Sequence, residues 1–327
     1  MDVGKIRTSR VAAMFGAMAL FFAIAVDAWA ETGLDVEYSE LQPLAEKSVL
    51  LDVARIGDRM VAVGERGHVI FSDNGTDWKQ AEHVPTRSTL TAVFALGDRL
   101  WAGGHDAVII TSGDRGKTWS RQFFEPDRQQ AVMDILFTDQ DHGVAIGSYG
   151  LVLSTMDGGK TWTDETVDPE NDYHLNSMVR FDDGRRMIAG EAGYSYRSFD
   201  DGETWEPLDL PYLGSMWGAV ITPGDCVLFY GLRGHVMESC DFGMSWQELE
   251  TGSLSSLAGG IYSDDLLVLV GNSGTVLVRE DRNISEHLHS DGVDFAAIIP
   301  IEDGRFLLVG EEGVHFYPET VAEESGQ

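Results

Sequence analysis

Short apolar runs recur along the chain in pairs, each pair joined through a glycine. The pairs read VAVGERGHVIF from Val61, WAGGHDAVII from Trp101, VAIGSYGLVL from Val144 and MIAGEAGYSY from Met187. Three more follow: LFYGLRGHVM from Leu228, LVGNSGTVLV from Leu269 and LVGEEGVHFY from Leu308. The anchoring glycines are Gly64, Gly104, Gly147, Gly190, Gly231, Gly271 and Gly310. Runs of this length around a Gly-containing turn predict antiparallel hairpins. Seven hairpins at a regular interval predict seven four-stranded units.

A second repeat follows the first five hairpins. Ser112, Asp114, Gly116, Thr118 and Trp119 set the pattern S/T-x-D-x-G-x-T/S-W. Thr155, Asp157, Gly159, Thr161 and Trp162 repeat it, as do Ser198, Asp200, Gly202, Thr204 and Trp205. Ser239, Asp241, Gly243, Ser245 and Trp246 keep it with Ser for Thr, and Asp73, Gly75 and Trp78 form a weaker copy. The tryptophans lie 41, 43, 43 and 41 residues apart, a period that marks a repeat architecture. Each residue type has a physical role. Asp accepts from backbone N–H groups, Gly takes a positive φ, and Trp buries a large ring between units. The pattern resembles the Asp-box, or bacterial neuraminidase repeat, which caps hairpins in β-propellers. A turn repeated in every unit has a structural reason, so the box residues are read as staples.

The predicted architecture is therefore all-β, a seven-bladed β-propeller spanning residues 31–319 as one domain. The last unit lacks a fourth strand, and the segment from Val36 to Leu44 is expected to supply it, closing the ring and removing two sheet edges. Residues 1–30 read as a signal peptide: Lys5, Arg7 and Arg10 precede an apolar run and an Ala28-Trp29-Ala30 cleavage site. Cleavage after Ala30 predicts a periplasmic or otherwise exported protein, and residues 320–327 form a polar tail. The formal net charge of −31 disfavours nucleic acid and anionic lipid as partners. Cys226 and Cys240 fall in adjacent runs of the fifth unit. Export favours a disulfide between them, whereas a register one step off would leave two free thiols.

Catalytic patterns such as G-x-S-x-G, H-E-x-x-H or a phosphate loop do not occur in the sequence. His287 and His289 share one side of a strand with no third ligand evident, so neither a metal site nor a cofactor is expected. Propeller geometry instead gathers the turns after the repeated glycines, and the linkers between units, on one face. That face is expected to hold Glu65, Arg66, His68, His105, Asp106, Tyr149, Glu191, Tyr194, Arg233, His235, Glu311 and Glu312. The linkers add Phe124, Arg128, Tyr173, Tyr212 and Trp217. Aromatic residues and arginines on loops favour a protein-binding face.

The stretch AEKSVLLDVARIGDRMVAVGERGHVIFSDNG, from Ala45 to Gly75, and VAIGSYGLVLSTMDGGKTW, from Val144, resemble the photosystem II stability and assembly factor-like family, in its non-photosynthetic bacterial exported branch. The resemblance implies a seven-bladed propeller that is not an enzyme and binds a membrane-protein complex through its loop face. For the exported branch it implies an accessory role beside resistance–nodulation–division type transporters, with the propeller a monomer on its own. The photosynthetic members carry a basic patch, from which this acidic chain departs. The alternative is a carbohydrate-active glycoside hydrolase or glycan-binding propeller, since such proteins also carry Asp-boxes; the R-I-P motif of sialidases does not occur, as Arg55-Ile56 continues into Gly57.

Overall fold

The computed structural model describes residues 36–280 and 283–319. The expected signal peptide and polar tail lie outside the described residues. Among the described residues the chain forms seven antiparallel sheets in succession, six of four strands and a seventh of three. Each sheet is a meander in chain order, as in Leu50–Ile56, Arg59–Gly64, Val69–Ser72 and Lys79–Gln80 for the first. The opening strand of every sheet packs on that of the next, and Phe295–Pro300 of the seventh returns to Leu50–Ile56 of the first. This closed ring of opening strands is a seven-bladed propeller around a central channel.

The segment from Val36 to Leu44 does not form the fourth strand expected of the last blade. Residues 36–44 are extended but lie over the first blade, where the Ser39 N–H donates to the Val84 carbonyl and the Arg87 Nε to the Tyr38 carbonyl. Pro43 cannot donate to a ladder, and the following 3-10 turn Ala45–Lys47 buries Ala45. Closure comes instead from packing, because Leu50, Val53 and Ala62 of the first blade share one core with Ile299, Leu307 and Val309 of the seventh.

The repeated glycines end the second strand of every blade for want of space. At Gly147 the backbone is extended (φ −175°), a conformation open to any residue. A Cβ there would sit 1.9 Å from the Ala131 carbonyl oxygen. The other six anchoring glycines have a backbone carbonyl within 2.3 Å of the same position.

The boxes act as staples. In the second blade the Gly116 N–H donates to Ser112 Oγ (2.9 Å), which donates to Asp114 Oδ1 (2.8 Å). The Thr118 N–H reaches Asp114 Oδ1 (2.9 Å), its hydroxyl reaches Oδ2 (2.6 Å), and Trp119 Nε1 donates to the Gly116 carbonyl. The carboxylate network recurs at Asp157, Asp200 and Asp241. The first blade corrects the alignment counted back from Trp78. Its loop is one residue shorter, so Ser72 takes the hydroxyl position and the Asn74 side chain takes the role expected of Asp73. Asp73 instead pairs through both oxygens with the buried Arg59 guanidinium (2.7 and 2.9 Å).

Cys226 and Cys240 are directly opposite, one step beyond the Val227–Ser239 pair, and form a disulfide. The one-step offset is thus not present, and neither sulfur is a free thiol. The bridge closes a loop of sequence separation 14, which constrains the unfolded chain by about 2–3 kcal/mol. A Cys226→Ser/Cys240→Ser protein is expected to lose stability on that scale in denaturant titrations. Reductant should destabilise the parent alike and leave the variant unchanged.

Candidate functional site

The opening strand of each blade carries a bulge at its second residue, between Leu50 and Asp52 in the first blade and between Val132 and Asp134 in the third. The bulged residues, Leu51, Thr91, Met133, Asn176, Trp217, Ala258 and Ala296, form a ring that lines the channel mouth, a cavity of 360 Å³. His174, Glu191 and Ser215 from turns and linkers rim the same opening. The turns after the repeated glycines therefore do share a face with the linkers, around the channel.

Aromatic side chains concentrate on one arc of that face. Tyr149 meets His174 edge-on at 4.8 Å, Tyr173 stacks on Tyr194 at 3.9 Å, and Tyr212 stacks on His235 at 3.9 Å. Each pair joins a turn residue to a linker residue, so such a contact recurs at the turns of the third, fourth and fifth blades. Tyr149 remains 56% exposed, and Tyr194 and Trp217 each 36%. Arg233 and Leu213 are exposed beside them. At the tips of the turns Arg66, Asp106, Tyr149, Ala192, Arg233, Ser273 and Glu312 have φ between 53° and 61°. Such left-handed conformations are costly for a side chain, and they recur at the same position of every turn.

Other expected members of the face are placed differently. His68 is buried, with Nδ1 against Ser48 Oγ at 3.0 Å and burial pulling its pKa down. Arg128 is held in the seam between the second and third blades by both oxygens of Asp164 and by Glu125. Phe124 packs against the core shared by the first two blades. Glu65, Arg66, His105, Asp106, Glu311 and Glu312 occupy turns elsewhere on the face. The opposite, box-bearing side also exposes apolar side chains, Met156, Phe199 and Met244, but these are single residues on separate box loops.

Beneath the mouth lies a second cavity of 190 Å³, lined by Asp52, Asp134, Ser177 and Tyr230 among others. Asp52 accepts from the Val53 N–H and, across the blade boundary, from the Val93 N–H (2.8 and 2.7 Å). Asp134 does the same with Ile135 and Met178 (2.8 and 2.7 Å). Tyr230 reaches the channel between Gly218 and Gly260, where a Cβ would meet its ring at 2.3 and 2.8 Å. Both residues are partly buried and line the channel interior. Burial pushes Asp52 up to about 7, against the opposing pull of the Val93 and Val53 amides, and pushes Asp134 up to about 6. Burial also raises Tyr230.

The sign of the resulting pH dependence follows from linkage. Between the ordinary aspartate value of about 4 and the folded values near 6 and 7, the folded protein holds protons that the unfolded chain has released. Stability from this pair is full below about pH 4 and falls as pH rises to about 7. The box carboxylates act oppositely: hydrogen bonds from Thr204 and Ser245 hold Asp200 and Asp241 down at about 2, so their contribution is lost as pH falls from about 4 to 2. Melting temperature is expected to rise on acidification from pH 7.5 to 5. That rise should be smaller in Asp52→Asn/Asp134→Asn, and an unchanged profile would show that the pair does not hold these protons.

Residues 122–213 match the family model described as photosynthesis system II assembly factor YCF48, and this span contains most of the aromatic arc. Among curated proteins, the Photosystem II assembly lipoprotein Ycf48 of Nostoc sp. is 30% identical over 99 residues, 28% of this chain and 29% of that protein. The alignment thus spans less than a third of that relative. Among solved structures, "YCF48 bound to D1 peptide" superposes with a TM-score of 0.69 at 18% identity, covering 86% of this chain and 95% of that one. YCF48 from Cyanidioschyzon merolae gives 0.67 at 17%, covering 86% and 97%. A streptogramin B lyase gives 0.72 at 12%, covering 86% and 96%. At these identities the structural likeness speaks to the fold alone.

Proposed function

We propose that this chain, a Ycf48-like seven-bladed propeller, is a non-catalytic assembly or accessory factor that holds an extended segment of a membrane protein across its loop face. The observation that carries the reading is the aromatic arc, from which His174 and Trp217 reach the channel mouth. Tyr149, Tyr194 and Trp217 offer rigid, partly exposed rings at low entropic cost. The mouth beside them holds a few polar groups, His174, Asn176, Glu191 and Ser215, suited to backbone and basic side chains. The chain's strong negative charge favours a segment with basic residues and speeds its approach. The D1 peptide named with one structural relative is a segment of this general kind only in being a peptide, and the partner here is an envelope membrane complex, with a transporter as the finer assignment. Export to an oxidising compartment is consistent with the Cys226–Cys240 bridge.

A glycan hydrolase would need a pair of carboxylates open to the mouth, whereas among the described residues lining it Glu191 is a single one, accepting from the His174 N–H. The channel's Asp52 and Asp134 are recessed, and each of their oxygens is engaged by a backbone amide. The reading is tested by co-purification from native envelope membranes with the parent and a Tyr149→Ala/Tyr194→Ala/Trp217→Ala variant. It requires one membrane complex to be recovered with the parent and lost with the variant; equal recovery by both would overturn it.

A further inference from the structure

We infer that His289, His315 and Asp291 form a divalent transition-metal site that clasps the three-stranded last blade to the linker before it. The three residues bring one ligand atom each to within 4.8 Å of one another. His289 and Asp291 lie on the linker from the sixth to the seventh blade, and His315 lies on the outermost strand of the seventh, Gly313–Tyr317. Among the described residues this strand has no fourth strand beside it.

The hydrogen bonds decide what the imidazoles present to one another. His315 Nε2 lies 2.9 Å from the Glu311 carbonyl oxygen, and His289 Nε2 lies 3.2 Å from that of Phe316. A carbonyl can only accept, so both rings carry their proton on Nε2 and, when neutral, a lone pair on Nδ1. The Asp291 N–H approaches His289 Nδ1 at 3.3 Å, in keeping with a lone pair there. Both Nδ1 atoms nevertheless face the same carboxylate oxygen, Asp291 Oδ2, at 2.7 Å from His315 and 3.4 Å from His289. In neutral rings these lone pairs converge on Asp291 Oδ2 with no proton between them. A cation resolves this conflict, and a backbone carbonyl behind each ring is the usual means of fixing a metal-ligating histidine.

Further groups fit the same ion. Glu319 Oε1, which accepts from the Ser290 N–H (2.6 Å), stands 3.7 Å from His289 Nδ1 and is the candidate fourth ligand. Donors about 2.0–2.2 Å from a tetrahedral Zn²⁺ are about 3.3 Å apart; the Asp291 contacts of 2.7 and 3.4 Å lie near that spacing, and the three donors, within 4.8 Å of one another, draw together around the ion. Two imidazoles with carboxylates suit Zn²⁺ or a similar borderline ion better than Ca²⁺ or Mg²⁺. Glu312 and Lys47 also line this recess; the acids there outnumber the single ammonium.

His315 also breaks the pattern of the other blades. It pairs with Leu308, two residues before the anchoring glycine of its blade. The matching residues in the other blades are Ile70, Ile110, Leu153, Tyr196, Met237 and Leu277. Six blades place an apolar or aromatic side chain where the seventh buries a histidine.

The test uses tag-free, chelator-treated full-length protein titrated with Zn²⁺ and Co²⁺. One equivalent is expected to bind, with a visible Co²⁺ spectrum of low coordination number and a raised melting temperature. Asp291→Asn, at a half-exposed residue whose loss leaves the core intact, and His289→Gln should each weaken binding by about tenfold or more. Asp139→Asn, an exposed acid far along the chain, should change nothing. Absence of one-to-one binding, or binding untouched by the Asp291 and His289 variants, would overturn the site. So would nitrogen NMR showing both imidazoles doubly protonated in metal-free protein at neutral pH, since ion pairs with Asp291 would then account for the geometry.

Discussion

Replacing Gly147 with alanine is expected to destabilise the propeller by about 3–5 kcal/mol, with a melting temperature lower by roughly ten degrees. The added methyl would sit 1.9 Å from the Ala131 carbonyl oxygen and 2.9 Å from its carbon. Neither atom can rotate away, as the end of a long side chain could. Ala131 O is also the acceptor for the Ser148 N–H (2.9 Å), and the Gly147 N–H is bonded to the Leu151 carbonyl. Relief therefore requires the opening strand of the third blade, which carries Met133 and Asp134 to the channel, to move away from the second strand. Gly113→Ala is the matched control, because a Cβ there meets nothing within 4 Å. Equal stability of the two variants would contradict the packing account of the repeated glycines.

The Tyr149→Ala/Tyr194→Ala/Trp217→Ala protein is expected to bind its membrane-protein partner at least about 100-fold more weakly, since interface rings of this kind contribute on the order of 1–2 kcal/mol each. All three side chains are partly exposed, so truncation removes contact surface without opening a core cavity, and the melting curve should stay near that of the parent. Met156→Ala/Phe199→Ala/Met244→Ala removes comparable apolar surface from the box-bearing side. Its affinity should be unchanged. Added salt should slow association of the parent, because the acidic surface steers the approach.

Much of the fold is legible because it is written repeatedly. The seven glycine-centred hairpins and the four full boxes each correspond to one blade, and the loop face follows from the meander. Single-copy features are harder to read. Asp73 matches the box when counted back from Trp78, yet a one-residue shorter loop hands its role to Asn74. The segment 36–44 suits the open edge of the last blade by pattern, but Pro43 and its bonds to the first blade hold it elsewhere. The channel floor escapes a search for repeats although a signal is present: Asp52 in LLDVARI and Asp134 in VMDILF are lone acids in apolar strands. His315 in GVHFY is a similar mark, but its partner Asp291 lies 24 residues away and becomes its neighbour only when the blade docks.

The most direct test of a partner-binding loop face is site-specific photocrosslinking in native envelope membranes. A photoreactive phenylalanine analogue replaces Tyr149, Tyr194 or Trp217 on one face, and Met156, Phe199 or Met244 on the other. Binding through the loop face predicts crosslinks from the first three positions to one segment of a single membrane protein, and none to it from the second three. Crosslinks to that protein from the box-bearing side alone would contradict it.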